Sequence, residues 1–200
     1  MKAIGIIPAR YASSRFPGKP LAILGGKYVL QRVVEQVSTV LDDVYVATDA
    51  KRIYNTITSL GAKAVMTSTD HHSGTERIAE AVEQIGGNFD VVVNIQGDEP
   101  FIQRSQIETV LACCKDVGTQ IATLGKPFAT IEEAKNPNSP KIIIDNRNYA
   151  MYFTRALVPY IREKEESEWI EAYPFLKHIG LYAYRTDVLH QITKLPQSSL

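Results

Sequence analysis

The chain has 200 residues, 44% of them hydrophobic and 22% charged, the size and composition of one soluble domain with a full core. Its 22 basic and 22 acidic side chains cancel, which leaves no overall field to hold a nucleic-acid backbone or an anionic membrane, so any bound anion is small and locally recognised. No signal-like segment opens the chain and no apolar stretch approaches the roughly 20 residues that span a bilayer, so a cytoplasmic location is expected.

Short apolar runs at 3–7, 44–47, 63–66 and 89–95 are mostly β-branched and bounded by turn residues, as buried strands of a parallel sheet are. Between them Leu30, Val33, Val34, Val37 and Leu41 recur at helical spacing, as do Ile53, Ile57 and Leu60, and Ile78, Val82 and Ile85. Strands alternating with helices predict a doubly wound, mostly parallel α/β sheet in one domain over residues 1–200. Cys113 and Cys114 are neighbours that cannot bridge without strain, and Cys114 shares a helical face with Ile107, Val110 and Leu111; both read as thiols for packing in a reducing compartment. From 140 to 155, KIIID and YAMYF flank the turn NRN and predict a projecting antiparallel hairpin, the kind of arm that meets another subunit, so a homodimer is expected. The charge-dense run 162–174 reads as an exposed loop or short helix able to act as a lid.

Open sheets of this kind bind ligands beyond the carboxyl ends of their strands, so the junctions after each apolar run carry the functional reading. After the first strand, Arg10, Arg15 and Lys19 stand in a loop fixed by Pro8, Pro17, Gly18 and Pro20, with no carboxylate among them. A P-loop would need Gly at position 13 and Ser or Thr at position 20, where Ser13 and Pro20 stand, and no G-x-G occurs for a dinucleotide fold. Guanidinium forks and an ammonium suit phosphate oxygens all the same. Asp49, after the second strand, reads as the N-cap of the helix carrying Ile53.

After the third strand, Ser73 and Glu76 have capping-box spacing, so a helix starts there and offers its free N–H groups to the cleft beside Arg77. His71 and His72 lack a third ligand at zinc spacing and read as a polar turn. After the fourth strand, in VVVNIQGDEPFI, Gly97 permits a sharp turn that presents Asp98, whose oxygens opposite a cationic loop suit Mg²⁺ shared with a triphosphate. In LKHIGLYAYR, Ile179, Leu181 and Ala183 alternate with His178, Gly180, Tyr182 and Tyr184, so one face is core and the other offers an imidazole and two phenols. Arg155 ends the upstream arm strand.

In this order, IPARYASSRFPGKPL, VATD, TSTDHHSGTERIAEAV, VVNIQGDEPFI, MYFTRALVPY and LKHIGLYAYR closely resemble the 3-deoxy-manno-octulosonate (KDO) cytidylyltransferases, from residue 3 to residue 200. Sialate cytidylyltransferases open on a P-A-R-G-G-S-K type of loop and sugar-1-phosphate nucleotidyltransferases on G-G-x-G-T-R; neither matches as well. The resemblance implies a Rossmann-like fold of the nucleotide-diphospho-sugar transferase type. It implies that Arg10, Arg15 and Lys19 hold the phosphates of CTP, that Gly74, Thr75 and Arg77 contact the cytidine portion, and that Asp98 binds Mg²⁺. Gln96, Arg155, His178 and Tyr182 would line the pocket for the acidic sugar. Lys19, Arg10 and Asp98 would then be the catalytic set: the anomeric hydroxyl of KDO attacks the α-phosphate of CTP, pyrophosphate leaves, and CMP-KDO serves lipopolysaccharide synthesis. Relatives continue beyond LPQSSL through an acidic segment that touches the sugar and an aspartate that is the second protein ligand of the metal, so a missing C-terminal segment is also implied. Two other readings are a cytidylyltransferase for another acidic sugar, such as sialic acid, and a catalytically silent nucleotide-binding module.

Overall fold

A computed structural model describes residues 1–12 and 16–196, which leaves Arg15 outside the described residues. In chain order the elements are β1 (Ala3–Ala9), β2 (Ile23–Leu24), β3 (Lys27–Tyr28), α1 (Val29–Val37), β4 (Asp43–Thr48), α2 (Lys51–Ser59), β5 (Lys63–Met66), α3 (Gly74–Ile85), β6 (Val91–Asn94) and α4 (Arg104–Cys113). They continue with β7 (Ile121–Pro127), α5 (Ile131–Lys135), β8 (Lys141–Ile144), β9 (Ala150–Thr154), α6 (Trp169–Ala172), β10 (Leu176–Arg185) and α7 (Thr186–Ile192). The chain forms two compact units, Met1–Ala122 with Leu181–Leu200, and Thr123–Gly180. Among the described residues no helix is long and apolar enough to cross a membrane.

In the first unit the strand order is β5-β4-β1-β6, all parallel, with the end of β10 antiparallel beside β6. From β1 the chain steps outward to β4 and β5, then returns through α3 to the other side of β1. The order therefore reverses between β1 and β6, and the crevice beyond their carboxyl ends is where such sheets take ligands. Every residue of β6 is buried, as a parallel strand covered on both faces requires. Ile4, Ile6 and Val92 meet Ile78, Ala81 and Val82 of α3 and Leu189 of α7 on one face. On the other face Gly5 opens toward Leu41 and Val37, in keeping with the period of two along β1.

The capping box is present: Ser73 Oγ accepts from Glu76 N, and the Glu76 carboxylate reaches back to the Ser73 N–H. Asp49 corrects the sequence reading, because α2 is capped at Ala50 without a side-chain bond and Asp49 turns instead to Arg77, Oδ2 to Nη2 at 2.6 Å. Arg77 has no exposed surface, and its Nη1 donates to Thr67 Oγ1 at 2.5 Å. A guanidinium is tolerated at this depth because Asp49 and Thr67, just past the ends of β4 and β5, supply the acceptors. Cys114 is buried as expected whereas Cys113 is exposed, so only one of the two thiols serves packing.

In the second unit β8 and β9 form the antiparallel hairpin expected at 140–155, Lys141 opposite Thr154, with an irregularity at Ile143/Ile144. Leu176 and Lys177 of β10 pair with the other edge of β8. Phe128, Ala134, Trp169 and Phe175 make the core of this unit. The run 162–174 is thus pinned from within: Trp169 is 6% exposed and its indole N–H donates to Lys164 O at 3.0 Å.

Two stability outcomes follow from these contacts. Asp49→Ala leaves the Arg77 cation buried without its counter-ion and costs about 3–5 kcal/mol, read as a lower urea midpoint at unchanged slope. A Cβ at Gly97 would sit 3.0 Å from the Pro8 carbonyl oxygen and 3.3 Å from Leu30, so Gly97→Ala costs about 1–3 kcal/mol in the same measurement.

Candidate nucleotide site

Pro8, Ala9, Arg10, Lys19, Pro20, Gln96, Gly97 and Asp98 line one hollow of about 170 Å³ at the carboxyl ends of β1 and β6. Two segments build it. After β1 the chain turns back so that Gly18 N donates to Tyr11 O at 2.9 Å, and a short 3-10 turn, Lys19–Leu21, follows. Gly18 adopts φ 72° with the Tyr11 ring 3.3 Å from where a Cβ would stand, so a side chain there meets both backbone strain and the ring. This turn aims Lys19 at Asp98: Nζ lies 2.6 Å from Oδ2, both side chains being close to half exposed.

After β6, Gly97 lies in the expected turn, closed by Glu99 N donating to Gln96 O at 3.2 Å. Its φ is not in the left-handed region, so what glycine adds is room: a Cβ would sit 3.0 Å from the Pro8 carbonyl oxygen, tighter than an ordinary contact. That approach brings Asp98 beside the cationic loop. Arg10 also lines the hollow, and its Nη2 donates to the main-chain carbonyl of His71, tying the loop after β1 to the segment before α3. The hollow thus holds two cations and one carboxylate, the balance wanted for a polyanion with a counter-cation.

The start of α3 stands against the same wall: a Cβ at Gly74 would meet Pro8 at ordinary van der Waals distance, 3.7 Å. Of the three residues expected there, Gly74 is exposed, Thr75 is half-buried, and Arg77 is enclosed. Arg77 therefore braces α3 against the ends of β4 and β5 and does not face the hollow, contrary to the sequence reading. Its helical phase, shared with Ile78 and Ala81, was the available signal. His71 is engaged by carboxylates, Nε2 with Glu80 and Nδ1 3.8 Å from Glu76, and among the described residues no cluster of three His, Cys, Asp or Glu could hold a metal by itself.

The residues expected for the sugar fall in both units. In the first, Gln96 belongs to the hollow's lining, and Tyr182 stacks on Tyr184 at 5.8 Å; burial, and then the neighbouring Tyr184, raise the Tyr182 hydroxyl above its usual pKa. In the second, His178 Nε2 lies 3.0 Å from Thr123 Oγ1, and the Phe153 ring meets the imidazole edge-on at 4.9 Å. Arg155 is exposed, with Nη1 2.8 Å from Pro137 O.

A larger hollow, about 450 Å³, opens between α1 and α2 beside the amino end of β4, lined by Gln31, Glu35, Asp42, Lys63 and apolar neighbours. Its one cation, Lys63, is paired with Asp43 at 3.1 Å, so it is the wrong place for a triphosphate.

Comparison with known proteins agrees with the geometry. A family model described as cytidylyltransferase matches residues 4–200. The 3-deoxy-manno-octulosonate cytidylyltransferase of Bacteroides thetaiotaomicron is 59% identical over 203 residues, covering 100% of this chain and 81% of the relative. That of Phocaeicola vulgatus is 58% identical with the same coverage. A solved structure described as CMP:2-keto-3-deoxy-manno-octonic acid synthetase complexed with CTP superposes with a TM-score of 0.91 at 40% identity, over 100% of this chain and 80% of that one. A loop of cations facing a single aspartate across a strand-order reversal thus stands in a chain that belongs to the cytidylyltransferase family, among its 3-deoxy-manno-octulosonate cytidylyltransferases.

Proposed function

We propose that this chain transfers CMP from CTP to the anomeric hydroxyl of 3-deoxy-D-manno-octulosonate, releasing pyrophosphate and supplying an activated sugar for lipopolysaccharide synthesis. The observation that carries this reading is the meeting of Arg10, Lys19 and Asp98 in one hollow at the reversal between β1 and β6, together with membership of the family. In-line displacement at a phosphate needs alignment and charge stabilisation, and no covalent enzyme intermediate. Lys19 and Arg10 neutralise the phosphate oxygens, and the free N–H groups at the start of α3 add positive potential beside them. Gly74 and Thr75, at that helix start, are the proposed contacts of the cytidine portion. Gln96, Tyr182, His178 and Arg155 are the proposed sugar ligands, Arg155 for its carboxylate because a guanidinium fork matches two oxygens.

Asp98 fits a magnesium ion of the substrate-bridging kind. Mg²⁺ takes one or two carboxylates plus phosphate oxygens and keeps several waters, so Asp98 beside a triphosphate site would supply one of its protein donors. When bound, the ion would polarise the phosphates and offset the charge of the departing pyrophosphate. In the chain itself Lys19 neutralises Asp98, and a phosphate competing for that ammonium leaves the carboxylate free for a hard cation. A nucleoside triphosphate substrate is in keeping with the cytoplasmic location expected from the sequence. The homodimer expected from the hairpin has a physical basis in β9, where Met151 and Tyr152 are 69% and 60% exposed along a strand paired on one side only.

Pyrophosphate release from CTP and KDO with Mg²⁺ tests the reaction. Asp98→Asn should lower kcat/KM by about 10²-fold or more while leaving the fold intact, and full turnover in that variant would remove Asp98 from the mechanism. Sedimentation should give a dimer that Tyr152→Glu shifts toward monomer. Burial holds the His178 pKa below its ordinary value, so the folded chain prefers the neutral ring; its contribution is full above the unfolded value of about 6.5 and is lost as pH falls through the folded one. Melting temperature should therefore drop with acidification below that value, and His178→Gln should flatten the drop.

A further inference from the structure

The second unit contains a buried cation that the proposed chemistry does not use. Lys141, in the first position of β8, is 1% exposed. Its Nζ donates to two main-chain carbonyls, Asn136 O at 2.8 Å and Arg155 O at 3.0 Å, and lies 5.9 Å from the centre of the Phe128 ring. Among the described residues it has no carboxylate partner: burial and the nearby Arg155 charge both push its pKa down, and no acidic group acts the other way. An ammonium enclosed without a counter-ion is costly, and apolar replacements of similar length would fill the space more cheaply. Its contacts show what the cost maintains. Asn136 and Pro137 form the turn after α5, Arg155 follows β9, and two cations stitch them in opposite directions: Lys141 from the strand to both carbonyls, and Arg155 Nη1 back to Pro137 O at 2.8 Å. The Arg155 backbone is thereby fixed through its own carbonyl. Pro137 O is the guanidinium's protein acceptor, leaving its remaining N–H donors for a ligand.

We propose that Lys141 is a positioning residue for acidic-sugar binding, acting through Arg155 by holding the Arg155 carbonyl so that the guanidinium presents its fork to the sugar carboxylate. The inference rests on the reading of Arg155 as a sugar ligand. A side chain as mobile as arginine loses rotamer freedom on binding, and a fixed main chain reduces that loss.

The test is a double-mutant cycle in steady-state kinetics on the full chain, with KDO and CTP varied separately. Lys141→Met and Arg155→Ala should each raise the KM for KDO by about tenfold or more and leave the KM for CTP unchanged, and the double variant should be no worse than Arg155→Ala alone. A merely structural lysine would instead give additive losses, or raise both KM values together, and either result overturns the proposal. An unchanged KDO KM in Lys141→Met beside a raised one in Arg155→Ala removes the role of Lys141 and keeps the sugar-ligand reading. An unchanged KDO KM in Arg155→Ala removes that reading and this proposal with it. If Lys141→Met does not give the circular dichroism spectrum of the folded chain, Lys141→Gln, which is uncharged and has an amide nitrogen one atom nearer the backbone, takes its place in the cycle.

Discussion

The close passage of the chain at Gly97 past the carbonyl of Pro8 governs the site. A parallel sheet whose strand order reverses offers a crevice, but a crevice has no chemistry until the loops on its two sides come near enough to share a ligand. Here the loop after β1 brings cations and the loop after β6 brings a carboxylate, and their separation is set by a residue that has no side chain. The ion pair between Lys19 and Asp98 expresses that proximity. Between groups so exposed, the pair contributes little to stability in water, which suits a contact that the proposed phosphate binding would open.

The braces behind the site are of another kind. Arg77 is enclosed and linked to Asp49 and Thr67, just past β4 and β5. These bonds hold the first turn of α3 to the sheet from the inside, while Arg10 ties the preceding segment from the outside. A helix start serves anions only if its N–H groups are held still, and polar side chains buried with their partners hold geometry more narrowly than apolar contact does.

Much of this was legible in the sequence, for identifiable reasons. The β-branched runs and the Ser73–Glu76 spacing report local energetics that the fold does not override, and β1, β4, β5, β6 and the capping box of α3 appear where the pattern put them. The placement of Arg10, Lys19, Gln96 and Asp98 follows from the rule of carboxyl ends. What failed depended on depth and long-range pairing. Asp49 has the look of a cap and Arg77 that of a ligand, because a pattern of residue types does not say that two polar groups far apart in sequence are each other's partners. The β2–β3 hairpin, Ile23-Leu24 against Lys27-Tyr28, is only two residues a side, too short to carry a strand pattern. β7, with Gly125, Lys126 and Pro127, carries too little alternation to be seen as a strand.

Trp169 is the chain's only tryptophan, and it is enclosed with Phe128, Ala134 and Phe175 in the core of the second unit. Its ring environment, with Tyr160 edge-on at 4.8 Å and Phe175 stacked at 6.4 Å, is largely aromatic. Intrinsic indole emission is therefore a private optical channel for residues 123–180: a red shift during heating or urea titration dates the opening of that unit, and calorimetry run alongside reveals whether the parallel sheet of the first unit melts in the same step.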